Sequence, residues 1–158
     1  MPRLIRRIRK ARWTLQAWLG EGELPSDVFL DLNSKDNTLS LWLVEDDNSN
    51  LNRVLAAMAA QGSPDAFDYA VLDKARLEAC GFVLERVDGA TPDSDANRQW
   101  HFDAKQLSTR LLQVLADELK NGIQDRVSPA SVKKAVIESI ALGQLVVDSM
   151  PQRARWEL

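Results

Sequence analysis

His101 is the only histidine in the chain, and it stands in the run Trp100-His101-Phe102-Asp103. A histidine two residues from an aspartate could be oriented as a general base, and a serine or Cys80 nucleophile would have to recruit it. A zinc site would also have to use His101, with Cys80 and carboxylates, and none of these has ligand-like spacing. The aromatic neighbours favour another expectation for His101, an aromatic cluster where a helix meets a sheet. Cys80, the lone cysteine, follows Leu77-Glu78-Ala79 and precedes Gly81. That context predicts the buried last turn of a helix rather than a reactive thiol.

Glu45-Asp46-Asp47 offers carboxylates for a divalent cation, with Asp31 near the other end of the same region. The spacing departs from a calcium loop, because no glycine marks the sharp turn and no closing glutamate follows at the right offset. Acidic residues ahead of a helix also serve as caps and dipole partners. Asp88, Asp93 and Asp95 read as a solvated turn. Gly20 and Gly22 lack a third glycine and lead into Glu23 and Pro25, so the dinucleotide and P-loop classes are excluded on local grounds. Any acidic protein offers carboxylate pairs for hydrolysis, and a metal-dependent hydrolase is therefore the third of three function classes. No catalytic, cofactor-binding or metal residue is assigned, and no cofactor is expected.

The charge distribution is the strongest signal. Arg3, Arg6, Arg7, Arg9, Lys10 and Arg12 fall in the first eighteen residues with no acidic residue among them. Of the 20 basic and 23 acidic residues in all, that leaves 14 basic against 23 acidic over 19–158, a net of −9. With Trp13 and Trp18 nearby, these cations could neutralise phosphates while an indole stacks on a base, or seat on an anionic membrane. The acidic body, at pI ≈ 5.2, would repel a nucleic-acid backbone elsewhere. The alternatives are that the basic segment packs on its own domain or docks on a partner protein. Among the five tryptophans, Trp156 beside Arg153 and Arg155 is a hot-spot candidate if exposed and a latch if folded back.

These groups need elements to hold them. Leu4, Ile8, Ala11, Leu15 and Trp18 follow a four–three spacing, which predicts an amphipathic cationic helix over 1–19 closed by Gly20 and Gly22. A β-hairpin is expected over about 27–45, from the alternation of Val28, Leu30 and Leu32 and of Leu39, Leu41 and Leu43 around Asn33–Asn37. Helices follow at about 50–61 and 74–80, with strands near 68–72 and 82–87. Thr91-Pro92 opens a helix running to about Lys120 with a break near Asp103. Ser128-Pro129 opens a last helix over about 129–149, apolar on all sides and so central or packed at an interface.

The fold class is α+β: a small, partly antiparallel sheet packed with four or five helices in one domain, 1–158, whose acidic body spans 26–150. A single cysteine and no apolar run of membrane-spanning length lead us to expect a cytoplasmic protein with no membrane span. The leading functional expectation is a small prokaryotic-type protein-interaction module of adaptor, antitoxin or immunity kind. It would meet a partner protein through its acidic surface, for which a basic partner is the complement, and a homodimer is a further expectation. The alternative is a nucleic-acid-associated protein binding through residues 1–18.

Overall fold

The computed structural model describes residues 1–158. Six strands form one open, wholly antiparallel sheet: β1 Arg3–Ile8, β2 Leu39–Val44, β3 Phe67–Asp73, β4 Val83–Arg86, β5 His101–Lys105 and β6 Ile123–Val127. Their order across the sheet is β4-β5-β2-β1-β3-β6. Five helices accompany them: α1 Leu51–Ala59, α2 Lys74–Ala79, α3 Ser94–Gln99, α4 Thr109–Asn121 and α5 Pro129–Ala141. The α+β class and the strands near 68–72 and 82–87 are present. No helix is long and apolar enough to cross a membrane.

Strand alternation sends side chains to two separate cores, one on each face of the sheet. Leu4, Ile8, Leu39, Leu41, Ala70, Leu72, Phe102 and Ala104 meet Leu111, Leu115 and Leu119 of α4 and Leu77 of α2 on one face. Ile5, Trp42, Val44, Phe67 and Tyr69 meet Val54 and Met58 of α1 and Val132 and Val136 of α5 on the other. A sheet covered on both sides needs strands apolar on both sides, and β1, with Leu4 at 0% and Ile5 at 1% exposure, meets that requirement.

Four sequence expectations are corrected. Residues 1–19 are not a helix: β1 fills 3–8 and a short 3-10 turn covers Lys10–Trp13. The four–three stripe passed over Ile5 and Trp13, both buried, while two of its members, Leu15 and Trp18, lie in solvent. The hairpin over 27–45 is also absent. Val28–Leu30 lies in a 3-10 turn, Ser26–Leu30, because both edges of β2 are taken by β1 and β5. What remains is a tight turn at Lys35–Thr38, with Asp36 and Asn37 both left-handed (φ 53° and 58°), the backbone a two-residue hairpin turn requires.

The helix expected from Thr91 to Lys120 with a break near Asp103 is instead α3, β5 and α4. Asp93, not Thr91, caps α3 by accepting from the Ala96 N–H. The last helix stops at Ala141 rather than 149, because Gly143 takes a left-handed backbone (φ 71°) that ends it. Ser128 and Pro129 do open α5, with the Ser128 hydroxyl accepting from the Ser131 N–H.

Candidate functional site

The basic residues of the opening segment are gathered where β1 ends. β1 pairs with β3 as far as Ile8↔Asp68, but with β2 only as far as Ile5↔Trp42. Past that point the strands part, and the Arg6 side chain bridges the gap. Its Nη1 donates to the Ser40 carbonyl at 2.9 Å, and its Nε and Nη2 donate to the Asp31 carbonyl at 3.2 and 2.8 Å. Burial pushes the Arg6 guanidinium below its ordinary pKa, against the pull of the Asp31 charge.

Two buried carboxylates then turn the chain. Asp31 accepts from the Arg9 N–H (3.0 Å), the Arg12 guanidinium (2.7 Å) and the Trp13 indole N–H (2.7 Å). Asp68 accepts from the Lys10 N–H (2.9 Å) and, in a two-pronged pair, from Arg126 at 2.6 and 3.0 Å. The backbone donors freed at the end of β1 thus find charged acceptors on either side, which fixes the exit of the chain. The hydrogen bonds from Arg126 hold the Asp68 carboxyl below the usual carboxylate range, against its burial.

The remaining candidates divide cleanly. Arg3 turns to the loop after β2, donating to the Glu45 carbonyl at 3.2 Å and to Asn48. Arg7 stacks over the Phe67 ring, 4.6 Å from its centroid. Arg9 is exposed, as is Trp18 at 73%. Trp13 is buried, and Trp156 is fully so, its indole donating to the Gly62 carbonyl at 2.8 Å. Trp156 is therefore a latch. The structure brings Arg6, Arg7, Arg9 and Arg12 together and leaves Arg3 and Trp156 apart from them.

Those four arginines line a cavity of about 390 Å³ with Ile8, Leu30, Asp31, Asp65, Ala66 and Asp68. Asp31 and Asp68 are spent on Arg12 and Arg126. Arg6, Arg7 and Arg9 form no ion pair, since the paired arginines are 12, 53, 76, 98, 126 and 153. Burial and the neighbouring Arg9 charge hold the Arg7 guanidinium below its ordinary pKa, against Asp65 and Asp68. Reading the sequence alone offered Asp31 only as a carboxylate for a cation, and missed Asp65, Asp68 and the apolar rim at Phe29 and Leu30. An aspartate inside an otherwise apolar strand or turn, as at Asp31 and Asp68, was the available signal.

The other chemistry-bearing residues lie elsewhere. His101 is buried, with Nδ1 2.8 Å from the Val87 carbonyl and the Trp42 ring edge-on at 4.9 Å. Asp103 is 3.8 Å from its Nε2. No group of three histidine, cysteine, aspartate or glutamate side chains is arranged to hold a metal ion. The chain matches no protein-family model, no curated protein and no solved structure.

Proposed function

We propose that the chain is a protein-interaction module whose docking face is built by residues 15–30 and bordered by the arginine cavity. The observation that carries this reading is Trp18, 73% exposed. It stands with Leu15 (56%), Phe29 (59%) and Leu30 (61%) on one stretch of chain that runs from the 3-10 turn at Lys10–Trp13 into the turn at Ser26–Leu30, and the two turns touch. Large apolar side chains left in solvent, carried here on one segment that reaches the arginine cavity at Leu30, are the kind from which interface cores are built. The segment 15–30 itself carries Glu21, Glu23 and Asp27 and no basic residue, and it meets the arginine cavity at Leu30. The partner it fits offers an apolar recess for the indole and acidic groups opposite Arg7 and Arg9.

A nucleic-acid backbone is the less favoured occupant. Tracking it takes many phosphate contacts, and Arg3, Arg6 and Arg12 are already bonded to the chain's own carbonyl and carboxylate oxygens. The test compares affinity capture by immobilised wild type, Trp18→Glu and Phe29→Glu protein. A polypeptide held stoichiometrically by the wild type and released by both variants, which remain folded by circular dichroism, supports the docking face. Identical captures from all three baits, or retention of DNA that Trp18→Glu leaves intact, overturns it.

A further inference from the structure

The cavity at the end of β1 carries an imbalance of charge that the fold does not resolve. Arg12 is matched by Asp31, and Arg126 by Asp68. Three guanidinium groups, of Arg6, Arg7 and Arg9, then face one carboxylate without an ion pair, that of Asp65, whose oxygen accepts from Ser63. With Arg126 counted beyond the lining as the partner of Asp68, the excess is two positive charges around a space of about 390 Å³. Arg6 is anchored by three hydrogen bonds to carbonyl oxygens, which immobilises it without neutralising it. The Arg7 guanidinium lies over the Phe67 ring, 4.6 Å from its centroid, and makes no ion pair. Arg9 and Arg12 close the other side.

We infer that this cavity is a binding site for a dianionic phosphoryl group, gripped by Arg7 and Arg9 with Arg6 and Arg12 behind them. An isolated dianion cancels the two excess charges, whereas a run of singly charged phosphodiesters would need a longer basic track than the chain provides. The inference extends the docking reading to its basic rim. It stands or falls on small anions alone, with no partner protein needed.

The ionisable groups facing the cavity are Arg6, Arg7, Arg9, Arg12, Asp31, Asp65 and Asp68, with Arg126 on the far side of Asp68. None is a histidine, so between about pH 5.5 and 7.5 the change in charge belongs to the ligand, a phosphomonoester losing its second proton near pH 6. Phosphoryl binding therefore tightens across that interval.

The experiment titrates inorganic phosphate, and separately a phosphoserine peptide and its unphosphorylated twin, into the full chain at constant ionic strength, following binding by calorimetry and NMR shifts of arginine side chains. Saturable phosphate binding is expected, weakened about tenfold by Arg9→Ala and again by Arg7→Ala, each lost charge-assisted contact being of that order. Both side chains lie at the surface, and neither holds the β1 turn through its side chain. Asp65→Asn adds one net positive charge and should tighten binding severalfold, a gain that damage to the fold could not produce. Tighter binding of the phosphoserine peptide than of bare phosphate assigns the group to a phosphorylated polypeptide, and the reverse order assigns it to a free anion. Phosphate affinity indifferent to Arg7, Arg9 and Asp65, or a response to single-stranded DNA with none to phosphate, overturns the site.

Discussion

The Trp13 indole donates to Asp31 Oδ2 at 2.7 Å, and the same carboxylate takes Arg12 on its other oxygen. This joins the 3-10 turn after β1 to the turn that precedes β2. Asp31 is buried and satisfies three donors at once. Asp31→Ala should therefore lower the unfolding free energy by about 3–5 kcal/mol, the cost of stripping a buried charged partner from its donors. Trp13→Phe, which keeps the ring and loses one bond, should cost about 1–2 kcal/mol. Urea unfolding of the two variants measures both.

Acid sensitivity follows from Asp68. Its carboxyl is held below the usual range by Arg126. A depressed folded-state pKa makes the contribution full above the unfolded value of about 4, and it is lost as pH falls through the folded value. Asp68→Asn should thus be less stable than wild type at neutral pH. The gap should close as the medium is acidified below about pH 4. Denaturant midpoints measured across that range would show two curves converging on the acid side; parallel curves would refute the assignment.

The latch at Trp156 closes the core against α1 and α5. Truncation to alanine removes a fully buried indole and its bond to Gly62, and is expected to cost about 3–5 kcal/mol. Trp156→Phe should lose far less. Differential scanning calorimetry distinguishes the pair.

Gly89 lies against the histidine cluster. A Cβ there would come within 2.9 Å of Trp42 Cη2 and Asn97 Oδ1, and 3.1 Å of His101 Cγ. Gly89→Ala should destabilise the protein by about 1–3 kcal/mol through overpacking. It should also move the His101 ring resonances, which NMR would report.

Trp18 should dominate quenching of the fluorescence by acrylamide, because Trp13, Trp42 and Trp156 are buried and Trp100 is half-buried beside Arg53. Trp18→Phe should abolish most of the readily quenched emission and change stability by less than about 0.5 kcal/mol. An unchanged quenching curve would place the indole inside the protein and remove the docking face.

The elements most readable in the sequence are those whose signals are local. Ser128 before Pro129 carries its own punctuation, whereas the strand expected at 68–72 reads almost as well as part of a single helix over 66–80. Residues 3–8 misled because Leu4 and Ile8 satisfy a helical spacing as well as a strand facing one core. Only Ile5, buried on the opposite face, separates the two, and it matters only once β2 and β3 flank the strand. The Val28–Leu32 alternation failed for the converse reason, since β2 has no free edge left to receive it. His101–Lys105 hid inside a helical stripe because Leu107 and Leu111 continue the count. Gly143 was a legible stop that the apolar sequence around it concealed. The arginines were visible as charges. Their carboxylate partners at 31 and 68 were not, because those contacts span 19 and 58 residues.

The place of β1 in the middle of the sheet bears on how the chain comes off the ribosome. β1 is synthesised before either flanking strand, and its register with β3 cannot form until Asp73 has emerged. β2 can cover one edge once Val44 has emerged, but until Asp73 follows, the other edge of a strand built on Leu4, Ile5 and Ile8 is open to pairing with a neighbouring nascent chain. Arg3, Arg6 and Arg7 are interleaved with those residues and act as gatekeepers, since like-charged copies repel before they can stack. Two of these cations, Arg6 and Arg7, also line the cavity of the folded protein, so one pair of charges serves the nascent strand and the finished surface.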